Sequence, residues 1–282
     1  MAVAKIGVIG AGTMGSGIAL VAAQSGYEVR VVEVAPGPLE AGMKTIRRNL
    51  DRSVEKGRIN EAVRADTLAR LTPSTAMEDV AGVDLVVEAI IEKYEAKAEL
   101  IRTLDEICQP SAILASNTSS ISITRLGACT RRPGKVIGMH FFNPVPVMKL
   151  VEVISGVATG DETKHEVLAL AQAMGKTAVV VEDYPGFVCN RLLIPMINEA
   201  AYTLMEGVAS RESIDTVMKL GSNHPMGPLE LADLIGLDVC LDIMRVLQQG
   251  TGDGKYRPCP LLVKMVAAGW LGRKSSRGFY EY

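Results

Sequence analysis

The segment "IGVIGAGTMGSGIA" near the start of the chain constrains the fold more than any other. It places Gly10, Gly12 and Gly15 in the spacing G-x-G-x-x-G, directly after the apolar run "KIGVI" and before an apolar helical pattern. This spacing alone is also common in structural turns, but a glycine turn between a strand and a helix is typical of a βαβ unit that binds a dinucleotide.

The three glycines have different predicted roles. Gly10 permits the tight turn, Gly12 lets a pyrophosphate approach the backbone, and Gly15 allows the helix to pack closely on the strand. The helix N-terminus supplies N–H donors and the positive end of a dipole to the phosphates. The predicted contact with the cofactor also includes the residues between these glycines, Ala11, Thr13 and Met14.

An acidic residue, Glu33, closes the second predicted strand, "EVRVVEV". A carboxylate at this place in a βαβ unit accepts a hydrogen bond from the 2′-hydroxyl of a ribose. It would repel a 2′-phosphate, and the following "VAPGP" contains no arginine that could bind one. The sequence therefore predicts NAD rather than NADP.

Short apolar runs alternate with helical patterns over the first two thirds of the chain. Their hydrophobicity is nearly continuous, which is typical of parallel strands covered on both faces. We therefore predict a Rossmann-type, mostly parallel sheet with helices on both faces. After "KIGVI" and "EVRVVEV", its predicted strands are "VDLVVEAI", "AILAS", "KVIGMHF", "MKLVEVI" and "TAVVVE".

The strand pattern stops after Glu182. The next segment, "FVCNRLLIPMINEAAYTLMEG", is apolar almost all round, as expected of a helix buried on several sides. Further helical segments follow, separated by glycine and proline. Because 282 residues exceed what one core usually serves, we predict an NAD-binding domain of residues 1–183 and a smaller all-helical domain of residues 184–282. The apolar helix could form a subunit interface or simply a monomer's core.

Composition excludes several classes of protein. A net charge of −2 and an aromatic content of 4% argue against a nucleic-acid partner. Five cysteines without a CxxC pair fit reduced thiols rather than a disulfide framework. No run approaches about 20 apolar residues, and glycines interrupt the N-terminal apolar segment. We expect a cytoplasmic protein with no membrane partner.

The segment "MHFFNPVPVMKLVEV" contains a histidine and a glutamate where a core is expected, His140 and Glu152. His140 ends a predicted strand, at the edge where open α/β sheets bind ligands. An ionised Glu152 in an apolar strand is costly unless it is paired, and a histidine is a natural partner. Two interpretations stay open here: a general base with its orienting carboxylate, or a structural histidine with a solvent-facing glutamate on an edge strand.

The segment "ASNTSSIS" favours the first interpretation, because it follows the strand "AIL" and should lie at the same edge. The hydroxyl groups of this segment and Asn117, a predicted cofactor contact, should emerge there, although serines and asparagines also cap helices. His165 and His224 are expected on a solvated helix face and in a turn. No HExxH or paired Cys/His spacing indicates a metal.

Seven motifs, taken together, resemble the L-3-hydroxyacyl-CoA dehydrogenase family. They occur in order along the whole chain: "IGAGTMGSGIA", "VVEAIIE", "SNTSSISI", "GMHFFNPVPVMKLVEVI", "DYPGFVCNRLL", "MGPLELADLIGLD" and "GRKSSRGFYEY". The length matches the short bacterial members. The resemblance therefore implies NAD-dependent interconversion of (S)-3-hydroxybutyryl-CoA and acetoacetyl-CoA, in a homodimer formed through the helical domain.

The resemblance also implies roles for individual residues. It makes His140 the catalytic base, Glu152 its partner, Ser119 a contact of the substrate oxygen and the cofactor, and Asn190 a further catalytic residue. The family's remaining cofactor contacts fall on Glu92, Lys97, Asn143 and Lys274.

The long helix after the second strand carries the implied acyl-CoA contacts, Asn49 and Lys56, to which Ser119 is added. Arg47, Arg48 and Arg52 lie nearby in sequence. A basic face on an exposed helix is otherwise simply solvated.

Two positions depart from the family pattern. Many relatives have glycine where this chain has Ser276, close to Lys274, and others have aspartate where it has Glu33, which should preserve ribose binding. Alternative functions are the same chemistry on a longer or carboxylated 3-hydroxyacyl-CoA or on a sugar acid, and a non-catalytic NAD-binding protein, since fold does not fix function. The pair His140–Glu152 disfavours relatives that use a lysine base.

Overall fold

The computed structural model describes residues 3–282. The part of the chain that ends at Asp183 is one compact unit built around an eight-stranded sheet. Its strands are β1 (Lys5–Ile9), β2 (Glu28–Val32), β3 (Leu71–Ser74), β4 (Leu85–Glu88), β5 (Ile113–Ser116), β6 (Val136–Phe141), β7 (Leu150–Ser155) and β8 (Thr177–Glu182). They lie in the order β3-β2-β1-β4-β5-β6-β7-β8. The first six pair in parallel, β7 runs antiparallel to β6, and β8 is parallel to β7. The predicted Rossmann-type, mostly parallel sheet is confirmed.

Six helices connect these strands: α1 (Thr13–Gln24), α2 (Pro36–Glu55), α3 (Glu61–Ala69), α4 (Tyr94–Ile107), α5 (Ile123–Gly127) and α6 (Asp161–Ala173). Apolar residues of β1 and β2 and nearly the whole of α1 form one buried core with α2 and α6. The helices begin where the sequence supplies a cap. The side chain of Asn60 accepts from the backbone N–H of Val63 at the start of α3, and Ser122 caps α5 in the same way.

The sequence did not reveal β3. This strand contains Pro73, whose ring removes a backbone donor and usually argues against a strand. Proline is tolerated here because β3 is an edge strand that pairs only with β2. The long helix α2 begins at Pro36, because the fixed φ of proline suits the first helical position.

Residues Tyr184–Tyr282 form a second compact unit, which is helical. Its helices are α7 (Cys189–Met205), α8 (Arg211–Gly221), α9 (Pro228–Ile235), α10 (Leu237–Thr251) and α11 (Pro260–Ala267). They share their own apolar core. Two buried carboxylates bind backbone N–H groups in this unit. Asp215 accepts from two such groups at the start of α9, and Asp233 accepts from those of Phe279 and Tyr280 in the C-terminal tail.

The expectation for α7 is only partly correct. Ile194, Ile197 and Ala201 are buried, but Leu192 is 69% exposed, so one side of this apolar helix is not covered within the chain. Of the helices in residues 3–282, none combines the length and the hydrophobicity that a membrane crossing requires.

Ser276 adopts the conformation that glycine would favour. Its φ of 58° lies in the left-handed region, directly after the short helical turn Arg273–Ser275. The backbone just after Lys274 therefore makes a left-handed turn at Ser276.

Candidate active site

The antiparallel pairing of β6 and β7 brings the histidine and the glutamate together. His140 and Glu152 are direct partners in the register, so their side chains lie side by side on one face of the sheet. Nδ1 of His140 lies 2.8 Å from Oε2 of Glu152. Both residues are buried, with exposures of 7% and 2%.

The alternative with a solvent-facing glutamate on an edge strand is wrong. β7 lies between β6 and β8, and Glu152 is enclosed within the sheet. The imidazole ring also packs against Phe142, with ring centroids 4.5 Å apart. A carboxylate in such surroundings needs a partner, and the imidazole supplies one.

The segment after β5 lies beside this pair. The side-chain oxygen of Asn117 accepts a hydrogen bond from the backbone N–H of Phe141 at 2.9 Å and so joins the ends of β5 and β6. The structure thus gives Asn117 a positioning contact next to His140, and its predicted contact with the cofactor stays a prediction. The helix cap in this segment is Ser122, whose side chain accepts from the backbone N–H of Arg125.

Glu92 anchors the same segment. Its Oε1 accepts from the hydroxyl of Thr118 at 2.5 Å and from the backbone N–H groups of Ser119 and Ser120 at 2.8 and 3.1 Å. Burial alone would raise the pKa of Glu92, but the charge of Lys97 and the hydrogen bonds from Thr118 and Ser119 lower it below the usual range. Glu92 is therefore an ionised anchor of the predicted site.

Lys97, a predicted cofactor contact, is only 1% exposed and forms an ion pair with Glu88 at the end of β4. Glu88 was not predicted from the sequence. The signal was present, because Glu88 stands in the apolar run "VVEAI" as Glu152 stands in "KLVEVI".

The glycine turn has the geometry that its spacing predicts. Gly10 has a φ of 97°, and a Cβ added at Gly15 would lie 1.8 Å from the carbonyl oxygen of Gly10. A Cβ at Gly12 would meet no heavy atom within 4 Å, so the backbone there is open to an approaching pyrophosphate. Thr13 begins α1, and Met14 is half-buried behind it. This turn fits a dinucleotide.

Glu33 lies one residue beyond β2 and contacts the turn directly. Its carboxylate accepts from the backbone N–H of Ala11 at 2.9 Å and from that of Val34 at 2.8 Å. These two bonds hold the carboxylate beside the turn that the phosphates would occupy.

The remaining predicted residues lie at the surface or half-buried. Asn143 is exposed after β6, Asn49 is half-buried on α2, and Lys56 is exposed at the end of α2, where Arg47, Arg48 and Arg52 are also exposed. In the second unit, Asn190 lies in the first turn of α7, and Lys274 forms an ion pair with Asp238.

The other two histidines lie outside the pair described above. His165 is exposed on α6, and His224 lies in an irregular segment after α8. Residues 3–282 contain no cluster of His, Cys, Asp and Glu side chains that could hold a metal ion.

Two glycine substitutions should separate folding from cofactor binding. We expect Gly15→Ala to lower the melting temperature markedly, because its methyl group would overlap the carbonyl oxygen of Gly10. We expect Gly12→Ala to leave the melting temperature nearly unchanged but to weaken NADH binding by about tenfold or more, as measured by NADH fluorescence. Unchanged NADH affinity in Gly12→Ala would contradict the assignment of this turn.

Comparison with known proteins agrees with this geometry. Residues 5–184 match the model of the 3-hydroxyacyl-CoA dehydrogenase NAD binding domain, and residues 186–282 match the model of the family's C-terminal domain. The chain is 59% identical to a probable 3-hydroxybutyryl-CoA dehydrogenase of Bacillus subtilis strain 168, over 100% of this chain and 98% of that one. It is 55% identical to a 3-hydroxybutyryl-CoA dehydrogenase of Bradyrhizobium diazoefficiens, over 99% and 95% of the two chains.

A solved structure is similarly close. The crystal structure of (S)-3-hydroxybutyryl-CoA dehydrogenase from Ralstonia eutropha superposes with a TM-score of 0.98 at 50% identity, over 100% of this chain and 99% of that one. The resemblance seen in the motifs is confirmed, and with it the cofactor, NAD. The chain belongs to the 3-hydroxyacyl-CoA dehydrogenase family.

Proposed function

We propose that this protein interconverts (S)-3-hydroxybutyryl-CoA and acetoacetyl-CoA with NAD, and that His140 is the general base. The observation that carries the proposal is the buried contact of 2.8 Å between His140 and Glu152 at the carboxyl end of β6. The names of the relatives from Bacillus, Bradyrhizobium and Ralstonia support the substrate.

The contact within the pair supports a separate proposed role for each ring nitrogen. Nδ1 of His140 is bonded to Glu152, so the proton of the substrate's C3 hydroxyl passes to Nε2. The carboxylate fixes the tautomer of the ring and stabilises the imidazolium that forms. Bound NAD supplies the acceptor for the hydride that leaves C3. In the reductive direction, the protonated His140 is the acid.

Other residues orient the substrate in this proposal. Ser119, whose backbone is held by Glu92, contacts the substrate oxygen and the cofactor, and Ser119 and Asn190 hold the oxygens in line. Cofactor contacts beyond the glycine turn are Glu92, Lys97, Asn117, Asn143 and Lys274, and acyl-CoA contacts beyond Ser119 are Asn49 and Lys56.

Glu33 is the proposed selector for NAD. Its carboxylate is held beside the turn by the N–H groups of Ala11 and Val34, so it stays where a 2′-phosphate would be repelled.

The first test is an assay of acetoacetyl-CoA reduction, with NADH and NADPH followed separately. We expect NADH to be oxidised much faster than NADPH. His140→Gln should lower turnover by about 10²–10⁴, the usual contribution of a general acid–base. Near-normal turnover in His140→Gln would show that the base is another group.

Two other outcomes of this assay would change the proposal. Faster oxidation of NADPH would contradict the role of Glu33. Absence of turnover in a wild-type protein that still binds NADH would indicate a longer or carboxylated acyl-CoA, a sugar acid, or a non-catalytic protein.

We also propose a cytoplasmic homodimer formed through the helical unit. Leu192 on α7 and Val217 and Leu220 on α8 are 69%, 64% and 82% exposed, and we propose that these exposed apolar side chains belong to the interface. A second copy of the chain would cover them.

Light scattering after size exclusion tests the dimer. We expect a mass of twice the 30.1 kDa of one chain. Leu220→Glu should shift the protein toward the monomer because it places a charge in the apolar contact, whereas the control Lys219→Glu on the same helix should shift it less. A monomer in the wild type would contradict the proposal.

A further inference from the structure

Glu88, at the end of β4, is a carboxylate buried without any exposure. Its two oxygens lie 2.9 and 2.8 Å from Nζ of Lys97. The hydroxyl of Ser116, at the end of the neighbouring strand β5, donates a further hydrogen bond to it. Glu88 is thus a fully enclosed anion that fixes a lysine at the carboxyl edge of the sheet.

Stability alone explains such a pair poorly. Removing two charges from water costs more than their attraction commonly returns, and apolar residues of similar volume often stabilise a core as well or better. The ion pair Glu88–Lys97 lies where the strands present the predicted site, so a role in that site is the better explanation.

Lys97 connects Glu88 to the active-site segment. Its Nζ also lies 3.4 Å from Oε2 of Glu92, whose other oxygen accepts from the backbone N–H groups of Ser119 and Ser120. The side chain of Glu92 is 37% exposed, so it depends on these bonds and on Lys97 for its position. A continuous series of contacts therefore runs from Glu88 through Lys97 and Glu92 to Ser119.

We propose that Glu88 is a positioning residue of this active site, which acts through Lys97 and Glu92 on Ser119. Glu88 holds Lys97 with its Nζ 3.4 Å from Oε2 of Glu92, while Oε1 of Glu92 accepts from the backbone N–H groups of Ser119 and Ser120. When Glu88 is replaced by glutamine, Glu92 is the carboxylate that remains in contact with Lys97. The ammonium then moves toward Glu92 and draws it away from Ser119.

This inference rests on the proposed function, in which Ser119 contacts both substrate and cofactor. The test compares Glu88→Gln with Asp105→Asn. Asp105 is a second buried carboxylate of the same unit, lies on α4 as Lys97 does, and binds Arg131 and Arg132 away from the predicted site. Both substitutions remove one charge from a buried ion pair and should lower the melting temperature.

The two variants should differ in binding and kinetics. For Glu88→Gln we expect a rise of about 10–10²-fold in the Kd of NADH and in the KM for acetoacetyl-CoA, together with a lower kcat, because misplacement of Ser119 affects both ligands. For Asp105→Asn we expect wild-type values of all three. Equal changes in the two variants, or wild-type values in Glu88→Gln, would overturn the proposal.

A conservative variant keeps the test decisive if Glu88→Gln does not fold. Glu88→Asp retains the charge but withdraws it by one methylene, and it should show the same pattern to a smaller extent. Wild-type constants in Glu88→Asp would then overturn the proposal. If the wild-type protein does not reduce acetoacetyl-CoA, the proposed function fails, but the Kd of NADH still decides the role of Glu88.

Discussion

The hydrogen-bonded contact between His140 and Glu152 is the interaction on which the account of this site depends. It exists because β7 reverses direction and pairs antiparallel with β6, which sets the two residues opposite each other. One change of strand direction therefore creates the pair, and β8 encloses it from the outer side.

The carboxyl ends of three neighbouring strands concentrate the polar chemistry of the first unit. Glu88 ends β4, Ser116 ends β5, and His140 lies near the end of β6. Each of these buried polar side chains has a partner on a neighbouring strand or on α4. Polar groups buried at this edge are therefore fixed in place by their hydrogen bonds and ion pairs.

The sequence predicted the sheet, the glycine turn and the residues of the pair, because these depend on local patterns and on long irregular motifs. It missed β3, where an edge position tolerates Pro73. It also missed Glu88 and could not decide the environment of Glu152, since burial and ion pairing depend on which strands become neighbours. The partners of Lys97 and Asn117 could not be predicted for the same reason, because a sequence motif identifies a residue but does not show which atoms contact it.

The most direct measurement is a double-mutant cycle on kcat/KM for acetoacetyl-CoA reduction, with His140→Gln, Glu152→Gln and the double variant. If Glu152 acts only by orienting and stabilising the imidazole, its substitution should lower kcat/KM in the wild type and have almost no further effect when His140 is absent. Losses that simply add, in which Glu152→Gln costs as much without His140 as with it, would contradict the account.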